Sequence, residues 1–159
     1  MVPSLPDLTS QLVVFRLEEQ LYALPVDTVE RVLPMVAVSP LPQAPPIALG
    51  VINLHGKVIP VLDLRRRFGF PPRDYGLAAH LLVARTMRRT LALPVDVVLG
   101  VREVAVDAIT LPDAVLPGVG HVVGIVTLAD DLLFIHDLDT FLALDEEQRL
   151  TGALEEMAP

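Results

Sequence analysis

The pentapeptide ALPVD runs from Ala23 to Asp27 and returns from Ala92 to Asp96, an offset of 69 residues. The flanks agree as well: LYALPVDTVERV (21–32) lies over TLALPVDVVLGV (90–101), both of the form ALPVD-x-V-x-x-V. A second match follows in the same order. GVINLHGKVIPVLDL (50–64) aligns without a gap on GIVTLADDLLFIHDL (124–138), an offset of 74 that pairs Gly50 with Gly124 and Asp63 with Asp137. Two ordered matches in 159 residues make the chain a duplication of a unit of about 70 residues.

Each unit reads as β-structure. LVVFRL (12–17) and LYALP (21–25) are apolar, partly β-branched runs around a polar Glu18-Glu19-Gln20 tip, the pattern of a hairpin. VERVLP (29–34) is a further short strand ended by Pro34. ALGVINL and KVIPVLDL flank His55-Gly56, a second hairpin whose glycine can take a positive φ. The second unit repeats this with HLLVART and TLALPV, then VVGIVTL and LLFIHDL. The proline of each ALPVD belongs at a strand end, and Val-Asp-x-Val after it predicts one tight helical turn. Asp63 and Asp137 stand where a carboxylate caps a short helix. The segment 39–47, SPLPQAPPI, with four prolines, is an extended connector.

A unit this small is poor at building a core alone, and two can share one about a pseudo-twofold axis. The expected fold is therefore all-β with short helices: two small five-stranded barrels side by side with a seam. Residues 1–10 form a flexible start, 11–144 the domain, with halves near 11–75 and 76–144 and strand exchange possible at their ends. Residues 145–159 read as an exposed acidic helical tail.

Composition narrows the chemistry. Apolar residues make up 52% and charged ones 20%, which argues against disorder, and there is no cysteine for disulfides, thiolates or thiolate metal sites. No apolar run reaches the roughly 18 residues of a membrane span, and the start lacks a signal-peptide pattern, so a cytoplasmic protein without membrane insertion is expected. The net charge of −8 disfavours nucleic acid as a partner. The charge is uneven. Residues 57–102 hold nine of the twelve cations against three acids, while 103–159 hold one cation against twelve acids. That asymmetry is either plain solvated surface or two faces with different partners.

Catalytic patterns are missing. The three serines fall in the start and the connector, with no G-x-S-x-G. His55, His80, His121 and His136 stand singly, without metal-ligand spacing, and read as structural. The Asp130-Asp131 pair fits a turn better than a calcium loop. No P-loop or G-x-G-x-x-G is present, and Arg65-Arg66-Arg67 lacks the aromatic neighbours of a single-strand binder. No metal or cofactor is expected, nor an enzyme.

Three stretches resemble the CheW coupling proteins of bacterial chemotaxis. GVINLHGKVIPVLDLRRRFG is the most specific, being close to that family's G-V-x-N-L-R-G-x-x-x-P-x-x-D-L-R-x-x-F. LVVFRLEEQLYALPVDTVERV resembles its opening, and LALPVDVVLGV with LLFIHDLDTFL its later strands and terminal helix. The likeness covers about residues 10–144. It implies twin SH3-like barrels acting as a non-enzymatic adaptor between the cytoplasmic tip of a chemoreceptor and the regulatory domain of a CheA-type histidine kinase. It places Val29, Gly50, Val98 and Val101 on the receptor side with Arg65, and Leu24 and Val26 where the kinase domain is met. Two positions depart from the family: His55 replaces an arginine and Arg31 replaces a glutamate. If the family residues form an acid–base pair, both members are exchanged here, which points to a non-standard receptor and puts Arg31 and His55 among the receptor-side residues. The alternative from another class is a twin barrel that binds a small ligand.

Overall fold

The computed structural model describes residues 9–111 and 122–157. The flexible start expected for 1–10 therefore lies mostly outside the described residues, as does His121, while Thr9 and Ser10 already belong to a strand. Eleven strands follow in chain order: β1 (Thr9–Leu17), β2 (Gln20–Pro25), β3 (Val29–Pro34), β4 (Ala48–Leu54), β5 (Lys57–Leu62), β6 (His80–Arg85), β7 (Thr90–Val95), β8 (Val97–Ala105), β9 (Ile109–Thr110), β10 (Val122–Thr127) and β11 (Leu132–His136). Helix α1 (Leu64–Arg67) follows β5, and α2 (Leu144–Met157) closes the described chain.

The strands form two sheets, one ordered β8-β1-β2-β11-β10-β9 and the other β3-β6-β7-β5-β4. Strand for strand, the first five of one correspond to the five of the other under the sequence offsets. The first sheet gains only the two-residue β9. The sheets cut across the halves 11–75 and 76–144: hairpin β1–β2 of unit one sits beside β8 and β11 of unit two, and hairpin β6–β7 sits beside β3 and β5 of unit one. The units have thus exchanged their first hairpins.

Side-chain alternation explains the packing. In β1, Leu12 and Val14 face one apolar cluster while Val13, Phe15 and Leu17 face another. The first cluster draws Ile109, Val104, Val126 and Ile135 from across the same sheet, so its edge strands meet around one interior and the sheet is curled into a barrel. The second sheet does likewise around Leu33, Ile52, Ile59, Leu81, Val83 and Ala92. The remaining faces of the two exchanged hairpins, with Phe15, Tyr22, Leu24, Leu82, Leu91 and Leu93, pack back to back and form the central cluster between the barrels. This is why those hairpins read as continuous apolar runs: both their faces are buried.

Bulges repeat with the sequence. Register slips fall at Glu30 in β3 and Leu99 in β8, and at Leu49 in β4 and Val123 in β10. Each pair is related by the duplication offset, and all four extra residues are exposed. A bulge bends its strand and turns its extra residue outward, so three large apolar side chains are placed on the surface by the backbone. The two ALPVD segments diverge afterwards. Val26–Thr28 makes the expected single 3-10 turn, but β7 and β8 are separated only by Asp96. Asp96 is held otherwise: its carboxylate accepts from Glu18 N at 2.8 Å and Arg73 Nη2 at 2.9 Å, and its own N–H donates to Arg16 O at 3.0 Å.

The acidic tail is a helix, and it docks rather than projecting. Leu150 and Ala153 are buried in the central cluster. Around them Arg67 Nη2 donates to both Glu146 carboxylate oxygens, at 2.5 and 2.7 Å, and Arg89 Nη2 donates to Glu147 at 3.1 Å and Thr151 at 2.6 Å. Part of the charge asymmetry is therefore internal, since cations of the middle segment seat the acids of the last one.

Tyr22 illustrates the dryness of the seam. Its ring stacks on Phe68 at 4.8 Å, and burial pushes its hydroxyl up from 10 to about 12. A folded-state value above the unfolded one gives stability that is complete below pH 10 and is lost as pH rises toward 12. Tyr22→Phe is expected to leave stability at pH 7 little changed and to reduce the alkaline loss. Urea midpoints measured at pH 8 and pH 11.5 check this, and equal alkaline slopes in both proteins would contradict it.

Candidate partner-binding surface

Val29 and Val98 are duplication equivalents, each near the start of an edge strand, β3 and β8. Both are half-buried against the central cluster. Val101, the equivalent of Val32, is 62% exposed farther along β8. The two barrels thus bring equivalent valines to the same seam from opposite sides. Gly100 adds an opening: it has φ +118, and a Cβ built on it meets nothing within 4 Å.

Gly50 has a different setting. It is buried, with φ +152, and a Cβ there would strike the carbonyl oxygen of Ser39. Ser39 and Val51 exchange backbone hydrogen bonds of 2.9 and 2.8 Å, so the close approach that this glycine allows is made by the chain's own connector. Gly124, its equivalent, meets a side chain instead, since a Cβ there would lie 2.5 Å from Ile109 Cγ2 of β9.

Arg65 is only 2% exposed. Its Nε and Nη2 donate to Pro71 O at 3.2 and 2.9 Å, it pairs with Glu18, and its guanidinium lies 5.9 Å from the Phe70 ring centre. It follows Asp63, which caps α1 by accepting from Arg65 N at 3.0 Å and takes the Tyr75 hydroxyl at 3.0 Å. Burial and that carboxylate push the Tyr75 hydroxyl well above the usual phenol range. Arg65 therefore ties the β1–β2 turn of one barrel to the loop after α1 of the other. Its duplication equivalent, Asp139, accepts from Met87 N at 2.7 Å in the β6–β7 turn, so both exchanged hairpins are latched at matching points. Leu24 is likewise enclosed in the central cluster, and of the two residues expected to meet a kinase domain Val26 is the one that reaches the surface.

Arg31 and His55 are both exposed. His55 and Gly56 have φ of 52° and 86°, the two positive values of a type I′ turn, and Asn53 Oδ1 accepts from Gly56 N at 2.9 Å. Histidine is one of the few residues other than glycine enriched at such angles. Among the described residues, Arg31 and His55 make no hydrogen bond or ion pair with each other. Two features were not legible beforehand: the arginines that seat α2, and His80, whose Nδ1 accepts from Val98 N at 2.8 Å. The parity of His80 with Leu82 and Ala84 was the available signal.

Among the described residues no three His, Asp or Glu side chains gather as a metal site. A groove of about 560 Å³ runs between the β6–β7 turn and the start of α2, lined by Met87, Arg88, Leu91, Asp139, Leu144 and Glu147. No helix among the described residues is long and apolar enough to cross a membrane.

Comparison with known proteins places these features in a wider set. Residues 11–146 match the model of the CheW-like domain. The chemotaxis protein CheW of Treponema pallidum is 26% identical over 148 residues, covering 89% of this chain and 87% of that one. The probable chemotaxis protein CheW of Rhizobium etli is 33% identical over 97 residues, 61% of this chain but only 63% of its own length. Among solved structures, the scaffolding protein TtCheW from Thermoanaerobacter tengcongensis superposes with a TM-score of 0.79 at 30% identity, covering 87% of this chain and 96% of that one.

Proposed function

Since this chain belongs to the CheW-like family, we propose that it is a non-catalytic cytoplasmic adaptor joining chemoreceptor tips to a CheA-type histidine kinase. The observation that carries this reading is the pair of equivalent edge strands, β3 and β8, which present Val29 and Val98 to one seam with Val101 exposed beside them. An apolar strip flanked by two rigid barrels suits an amphipathic receptor helix, which buries aliphatic side chains along one face. Val26 and the surface around it serve the kinase regulatory domain. Leu24, Gly50 and Arg65 act by holding these surfaces in place, because their own side chains or backbone are enclosed. A small-ligand role has less support, since both barrel interiors are filled by their own side chains.

Val101→Asp is expected to weaken binding of a receptor-tip fragment at least tenfold while moving the melting temperature by no more than about 2 °C, since the side chain is already exposed. Titration calorimetry and co-migration with the kinase regulatory domain are the measurements, and unchanged receptor affinity would remove the assignment. A strong thermal shift with a metabolite would favour the ligand reading instead.

Arg31 and His55 further set which receptor is accepted. An arginine in place of the family's glutamate, with His55 in place of its arginine, favours a partner that is more acidic at this place than the usual one. Arg31→Glu/His55→Arg is expected to bind a standard receptor fragment more tightly than the wild type does. Equally strong binding by both proteins would dispose of this idea.

A further inference from the structure

The two units satisfy one backbone group in different ways. At the start of β3 the Val29 N–H closes the 3-10 turn by donating to Val26 O. That turn is absent before β8, so the equivalent N–H, on Val98, needs another acceptor. It donates to His80 Nδ1 at 2.8 Å. His80 opens β6, with Leu82 and Ala84 of the central cluster on the same face, so a side chain from one barrel satisfies an edge of the other. The equivalent position in unit one is Gln11, and Val29 has no need of it. A backbone N–H can only donate. His80 Nδ1 must therefore be the bare acceptor nitrogen, with the ring neutral and its proton on Nε2.

We propose that His80 is a positioning residue for the partner-binding surface: its neutral ring ties Val98 of β8 to β6 across the seam, and protonation releases that tie. The inference rests on the adaptor reading only for its consequence, which is receptor affinity. The bond itself stands on geometry. Charged groups on the surrounding elements are accounted for. Asp96 follows Val95, the residue opposite His80 in β7, and is taken up by Arg73 and the Glu18 N–H. Arg16 stands opposite Val97 on β1. On β3 the residue opposite is Pro34, with Arg31 and Glu30 farther along, and Arg73 and Asp74 lie in the preceding loop. Among the described residues none forms an ion pair with His80. A protonated ring therefore loses an acceptor and gains no salt bridge.

The test uses the full chain labelled with ¹⁵N, with the Val98 amide and the His80 ring followed from pH 8 to pH 5.5. The two signals are expected to move together with one midpoint. His80→Asn keeps an acceptor oxygen near the Nδ1 position and cannot titrate in this range. It is expected to hold a receptor-tip fragment within about twofold of wild type at pH 7.5 and to abolish the pH dependence. His80→Phe removes the acceptor and is expected to weaken the fragment about five- to tenfold. A Val98 amide indifferent to pH overturns the proposal, and so does an asparagine variant as weak as the phenylalanine one. If no protein binds the fragment, the adaptor reading fails, and the paired titration still decides the His80–Val98 tie.

Discussion

Gly50→Ala is expected to lower the melting temperature by about 6 to 12 °C, whereas Gly124→Ala lowers it by only about 2 to 4 °C. Both glycines sit where a segment of the same chain crosses a bulged strand, but the obstacles differ. At Gly50 the added carbon would land on the Ser39 carbonyl oxygen, with Val38 Cγ1 at 2.8 Å and the Ser39 carbonyl carbon at 2.9 Å. Backbone cannot rotate away, so the connector must lift and both Ser39–Val51 hydrogen bonds break. Two bonds at about 1 kcal/mol each, together with local overpacking and a positive φ, come to about 3 kcal/mol. A chain of this size loses roughly 2 to 4 °C per kcal/mol. At Gly124 the obstacle is Ile109 Cγ2 at 2.5 Å, a side chain that can change rotamer. Scanning calorimetry on the two variants checks the order, and equal shifts would mean that the connector is not seated against β4.

Leu150→Ala is expected to cost about 2 to 5 kcal/mol, the range for a fully buried leucine, and to lower the melting temperature of the whole protein by about 5 to 15 °C. Leu150 has 0% exposure and lies in the central cluster with Phe141 and Ala153. If α2 were a dispensable appendage, the variant would lose helical signal while the β-structure melted unchanged. The docked helix instead predicts one transition, displaced downward, by circular dichroism. The arginine–glutamate contacts around it are partly exposed and give only a modest additional salt dependence.

The duplication carried most of what the sequence disclosed. Strand positions, the His55–Gly56 turn and both aspartate caps follow from local patterns, because a two-residue period, a positive φ and an N-cap are properties of neighbouring residues. Which sheet a hairpin joins is not local. LVVFRL and LYALP read the same whether they pair within their own unit or with the other, and only the continuous apolar character hinted at two buried faces. Arg65 shows the same limit at the level of one residue. The pattern Asp63-Leu-Arg65 suggests a solvated arginine after a cap, yet Pro71, Glu18 and Phe70 enclose it. The acidic tail misled for a related reason: its charges look solvated until Arg67 and Arg89 are brought beneath them by α1 and the β6–β7 turn.

The crossed hairpins also dictate when the molecule can come into being. Strand β2 waits for β11, with Leu21 opposite Leu133, and β1 waits for β8. The β1–β2 hairpin, apolar on both faces, therefore stays without these neighbours until β8 and then β11 have been made. The local hairpins can pair early, but the contacts that close each barrel span long stretches of chain, and such separations slow folding relative to local pairing.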